Sequence, residues 1–107
     1  MATGRLGTTD LAAGTNATVY TVPAGNYTIC NVSLTNRAAA ACNIRIAMAS
    51  TGSPTNSEWI EYDTVLVGNG VFERTGLVLN AGLNLVALSS TGSVVNATVY
   101  GIETSTV

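Results

Sequence analysis

No histidine and no lysine occur in this 107-residue chain, and its four positive charges are all arginine: Arg5, Arg37, Arg45 and Arg74. Without histidine there can be no Ser-His-Asp or Cys-His arrangement, and the commonest metal ligand and proton shuttle is missing. Charge of either sign is scarce, at 9% of residues against about 25% in an average soluble domain. A surface so weakly charged has little electrostatic protection against sticking to other surfaces. It suits a secreted or very stable β-protein that uses Thr and Asn for solubility, or a subunit whose surface is covered by partners. The net charge is −2 and the arginines are scattered. No basic stripe could track a phosphate backbone, which argues against a nucleic-acid partner. No apolar run approaches the length of a bilayer span, which argues against a membrane partner. Met1-Ala2-Thr3-Gly4-Arg5 has no apolar core behind it. Synthesis and assembly inside a cell are therefore expected.

What is present is Thr, Asn, Ala, Gly and Val in short alternating runs, with 47% apolar residues. The length suits one domain near the usual size of a β-sandwich, with a radius of gyration of roughly 13 Å. No helix period rises anywhere, and period-2 alternation predicts about seven strands: 17–22, 27–35, 42–49, 58–65, 71–79, 83–89 and 95–103. Pro23-Ala24-Gly25-Asn26, Gly68-Asn69-Gly70, Asn80-Ala81-Gly82 and Thr91-Gly92-Ser93 supply turn chemistry between them. The fold class is thus all-β: a single antiparallel β-sandwich, jelly-roll or Ig-like, over residues 16–107. Residues 1–15, rich in Gly and Thr, read as an extended N-terminal arm. Such a segment buries too little surface to order itself and is expected to settle on a neighbour through Arg5, Leu6 and Leu11. Its deletion should leave the melting temperature nearly unchanged. Val19, Val32, Leu34, Ile44, Ile46, Ile60, Tyr62, Phe72, Leu85 and Val99 are the expected core. Asn16-Ala17-Thr18-Val19-Tyr20 recurs as Asn96-Ala97-Thr98-Val99-Tyr100, either by coincidence between two strands under one alternation rule or because the two strands occupy similar environments.

Few constellations could carry chemistry. Cys30 and Cys42 fall on apolar faces of strands expected to be neighbours. A connection centred near Ala38 and Ala39 sets Cys42 opposite Thr35, so a disulfide would need another register. Two buried thiols acting as small hydrophobes are expected. Glu58, Glu61, Asp63 and Glu73 are the only carboxylate cluster. They lack the flanked cleft of a glycosidase and the dense oxygen loop of a calcium site. A hairpin at Gly68 and Asn69 would set Asp63 against Arg74 as an ordinary ion pair. Trp59, the single tryptophan, shares a strand face with Glu61 and Asp63. It either caps the core edge or anchors a subunit contact. No catalytic residue, cofactor or metal is expected, and the protein reads as a non-enzyme.

Thr18-Val19-Tyr20-Thr21-Val22-Pro23-Ala24-Gly25, then Asn31-Val32-Ser33-Leu34-Thr35-Asn36-Arg37, form one recognisable pattern. Glu58-Trp59-Ile60-Glu61-Tyr62-Asp63 and Gly70-Val71-Phe72-Glu73-Arg74-Thr75-Gly76 continue it. Together, over roughly residues 5–103, they resemble small β-sandwich virion structural proteins of tailed bacteriophages, particularly cyanobacterial and marine ones. The resemblance implies a virion component assembled in the host cytoplasm, with the major capsid protein or another virion protein as partner. A capsid decoration (cement) protein is expected first, and a tail or fibre-associated adhesion module second. A carbohydrate-binding β-sandwich is a third reading from outside the resemblance. Self-association, as a trimer, is expected. The expected protein-interface residues are Arg5, Leu6, Leu11, Trp59, Glu61 and Asp63.

Overall fold

Alternation along each segment decides which side chains go inside. On β3 (Asn26–Asn36) the buried residues are Thr28, Cys30, Val32, Leu34 and Asn36, every second position. In the computed structural model, which describes residues 3–106, eight strands form and no helix occurs among the described residues. The others are β1 (Thr3–Asp10), β2 (Ala17–Thr21), β4 (Cys42–Ala49), β5 (Trp59–Leu66), β6 (Val71–Leu79), β7 (Asn84–Ser89) and β8 (Val95–Ser105). They build two four-stranded sheets, ordered β1-β8-β3-β6 and β2-β7-β4-β5. Every pairing between these strands is antiparallel. Inward residues of both sheets make one apolar core that includes Val32, Leu34, Ile44, Ile46, Leu85 and Val99. The arrangement is β-sandwich-like, with a radius of gyration of 13.3 Å.

The pairing follows one rule. β4 pairs β5, β3 pairs β6, β2 pairs β7 and β1 pairs β8. The chain behaves as a ribbon folded in half at the 50–58 loop, then rolled so that β3 meets β8 and β4 meets β7. Only β4 and β5 are consecutive strands in one sheet. All other connections cross from sheet to sheet. The turns at 68–70 and 80–82 are therefore crossovers, not hairpins: turn chemistry reverses a chain without specifying which strand it pairs with next.

Three expectations change with this topology. The arm is one: residues 3–10 are the edge strand β1 and pair with β8 from Thr3–Ile102 to Asp10–Asn96. Leu6 lies where the register shifts between Arg5 and Gly7, and it packs against the core. Leu11 is fully buried, and its amide donates to the Val95 carbonyl at 2.8 Å. A β-carbon on Gly7 would stand 2.2 Å from the Val19 carbonyl oxygen, so β1 lies hard against β2. Eight strands thus replace seven strands and an arm. The cysteines are the second: Cys30 and Cys42 are both free and buried, but β3 and β4 lie in different sheets, so no common register relates them. Tyr62 is the third. It is 57% exposed rather than core, because β5 is irregular where it passes β4. Ile44 faces Thr64 while Ile46 faces Glu61, so two steps on β4 match three on β5. Asp63 takes a left-handed φ of 52° in that stretch. A bulge of this kind shifts alternation and turns the next side chain over.

Candidate functional site

The exposed groups with most chemical character gather on β5 and the neighbouring face of β4. Arg45 lies between the inward Ile44 and Ile46 and so projects outward. The bulge brings Tyr62 out beside it. The guanidinium carbon lies 3.9 Å from the Tyr62 ring centroid and 5.8 Å from that of Trp59. The two rings meet edge to face, 5.5 Å apart at 73°. Arg45 Nε and Nη2 donate to the two Asp63 carboxylate oxygens at 2.7 and 3.2 Å. That fork raises the Arg45 pKa and lowers that of Asp63, chiefly through the hydrogen bonds. Planar guanidinium suits both tasks, since it stacks on a ring while donating in its own plane.

Trp59 is half-buried and packs against Ala47, Ala49 and Val86, a small apolar cluster separate from the main core. Thr18, Val86, Ala47 and Trp59 follow one another across β2, β7, β4 and β5. The 50–57 loop returns over this row: a β-carbon on Gly52 would lie 3.4 Å from Thr18 Oγ1. Glu58 holds the loop. Its carboxylate accepts from the amides of Thr55 (2.8 Å) and Ser50 (3.0 Å) and from the Ser50 hydroxyl (3.1 Å). These bonds lower its pKa, the Thr55 amide most.

The expected interface residues therefore separate. Trp59, Glu61 and Asp63 all lie on β5, but each carboxylate has a different partner. Asp63 pairs with Arg45, not Arg74. Arg74 Nη1 donates to Glu61 at 2.6 Å, and Thr64 Oγ1 donates to Glu61 at 2.8 Å. The reason is topological: β5 and β6 edge different sheets, and the Arg74–Glu61 pair spans them. Arg5 is exposed on β1. Leu6 and Leu11 belong to the core side, and Leu11 has no surface left to offer a partner. Arg45 was not singled out from sequence. Its signal was there: 42–49 and 58–65 read as consecutive strands, and pairing them places Arg45 beside the Trp59–Asp63 segment. Ile29, Val78 and Ile102 were missed as well. They are exposed apolar residues at outward positions of their strands.

A buried polar group stands apart from both. Glu103 is 5% exposed; it accepts from the Tyr20 hydroxyl and from Asn26 Nδ2. Among the described residues no cluster of three or more metal-ligating side chains occurs, and no pocket opens. The available geometry is that of flat contact surfaces. No family model, no curated protein and no solved structure matches the chain.

Proposed function

We propose that this chain is a non-enzymatic phage virion structural protein, a capsid decoration protein that self-associates and binds the assembled head lattice. The finer fold reading belongs with it: the sheets are those of a jelly roll. The observation that carries the proposal is the strand order β1-β8-β3-β6 over β2-β7-β4-β5. A rolled eight-stranded ribbon of this kind is an architecture used by viral capsid and lectin domains. Because one fold hosts many functions, the reading also leans on the sequence resemblance and on the weakly charged surface. The physical logic is mass action, since a subunit that binds only the assembled lattice stabilises that lattice. The major capsid protein is the proposed partner.

Copy number in purified particles tests this directly. Hundreds of copies per particle are expected; a few to tens would move the protein to the tail or a fibre, and none would sink the virion reading. The pairing of half-buried Trp59 with exposed Tyr62 favours a second reading, carbohydrate binding, because sugars stack on aromatic faces. Arg45 already lies over the Tyr62 ring, which weakens it. Quenching or shifting of Trp59 fluorescence on a glycan panel would bring it forward.

A further inference from the structure

Sorting the charges leaves two unmatched. Arg37, Arg45 and Arg74 pair with Asp10, Asp63 and Glu61. Glu58 is used by its loop and Glu103 is buried. Arg5 is exposed, and its side chain has no hydrogen-bond or ion-pair partner among the described residues. Glu73 is also exposed; it accepts from the Tyr100 hydroxyl and has no cation partner among the described residues. Both point outward from the same sheet. Arg5 faces Tyr100 and Glu73 faces Ser33, while the adjacent Val99, Val32 and Leu34 are buried inward. They stand on opposite edge strands, β1 and β6, with β8 and β3 between. Three strand spacings, about 14 Å, separate those edges, too far for a pair within one subunit.

The same outer face carries an apolar row. Val78 (60% exposed), Ile29 (49%) and Ile102 (56%) lie directly opposite one another across β6, β3 and β8. Thr3 ends the row on β1. Next to it runs a row of Asn31, Tyr100 and Arg5, followed by Ser33 with Thr98 and then Thr35 with Asn96, the last ending on the exposed Val71 of β6.

We propose that this face binds a second copy of the chain, sheet against sheet, about a two-fold axis parallel to the strands and midway between β3 and β8. Such an axis keeps every row at its own level and exchanges left for right. Ile29 of one protomer then covers Ile102 of the other, and the apolar row is buried on itself. Arg5 of one protomer falls over β6 of the other, one row from Glu73. That is about 7 Å along the strand, within reach of an arginine side chain, and the contact occurs twice. An axis running across the strands fails on both counts. It would lay the apolar row on Thr35 and Asn96, and Arg5 on its own edge strand. The face is about 37 Å by 19 Å, on the order of 700 Å², close to the roughly 800 Å² per partner of a stable interface.

This inference rests on the self-association in the proposed function and makes it two-fold in place of the expected trimer. It does not depend on the virion location. Sedimentation equilibrium of the purified full chain tests it. The wild type should be a dimer at micromolar concentration, and Ile29→Asp should be a folded monomer. Arg5→Glu and Glu73→Arg should each weaken the dimer by about tenfold or more. The double variant R5E/E73R should regain most of that loss. If Ile29→Asp does not fold, Val78→Lys on the edge strand makes the same test. A monomeric wild type, a trimer, a dimer indifferent to these changes, or a double variant no tighter than the singles would overturn the proposal. Particle copy number reads the virion reading separately, so either can fail without the other.

Discussion

Leu11 shows how much one side chain decides here. It sits just after β1, at 0% exposure, among the residues of the main core. Leu11→Ala should cost about 2–5 kcal/mol, the range for truncating a buried leucine. Urea unfolding checks this, and a loss under about 1 kcal/mol would mean that the N-terminal segment is not part of the core. The thiols give a second residue-scale prediction. Burial pushes the Cys30 thiol up to about 11, so it stays neutral at physiological pH and is a poor nucleophile. Folded protein should take up little thiol label, and denatured, unreduced protein should take up two equivalents. Label uptake only after reduction would show a disulfide instead. The sign for stability follows: above the unfolded thiol's pKa of about 8.5, the unfolded thiolate is favoured, so this contribution is lost as pH rises.

Among the elements, the 50–57 loop and its Glu58 latch respond to pH. The Glu58 pKa is lowered in the folded state by hydrogen bonds from Thr55 and Ser50. A depressed carboxylate contributes stability above its unfolded pKa and loses it as pH falls through the folded value. Acidification below about pH 4 should release the loop, and Trp59, next in sequence, should report it by a red shift of emission. Glu58→Gln should show the shifted emission already at neutral pH. A component that persists in the variant belongs to Asp63, also lowered; identical neutral-pH spectra of variant and wild type would refute the latch. The N-terminal element needs a similar revision. Removing residues 2–11 would take away an edge strand, its ladder to β8 and a buried leucine. The deletion should lower the melting temperature sharply rather than leave it unchanged.

At the scale of the molecule, the folded-ribbon topology has a consequence for autonomy. β1 and β2 each hydrogen-bond to one strand from the second half of the chain, and β3 and β4 each to two. Neither half can form a sheet with its native neighbours alone. Cutting the chain in the 50–57 loop should give two fragments that are each unfolded and that recover the native β-spectrum when mixed. A native-like circular dichroism spectrum from either fragment by itself would contradict the pairing. Long-range pairing of this kind also folds slowly, in milliseconds to seconds.

The chain's residues by themselves determined seven of the eight strand segments and much of the core, because period-2 alternation needs no knowledge of neighbours. Cys30, Val32 and Leu34, or Ile44 and Ile46, are buried as their spacing implies. Segment 1–15 misled because Gly4, Gly7 and four threonines dilute its apolar content. Its order comes from pairing with β8, whose partner role is set some ninety residues away. Tertiary structure alone decided which strands share a sheet, since a turn reverses the chain without choosing its next partner. It therefore decided that Glu61, not Asp63, meets Arg74. It decided too that Tyr62 faces water, through a bulge that alternation cannot foresee. And it set Ile29, Val78 and Ile102, distant in sequence, side by side on one open face.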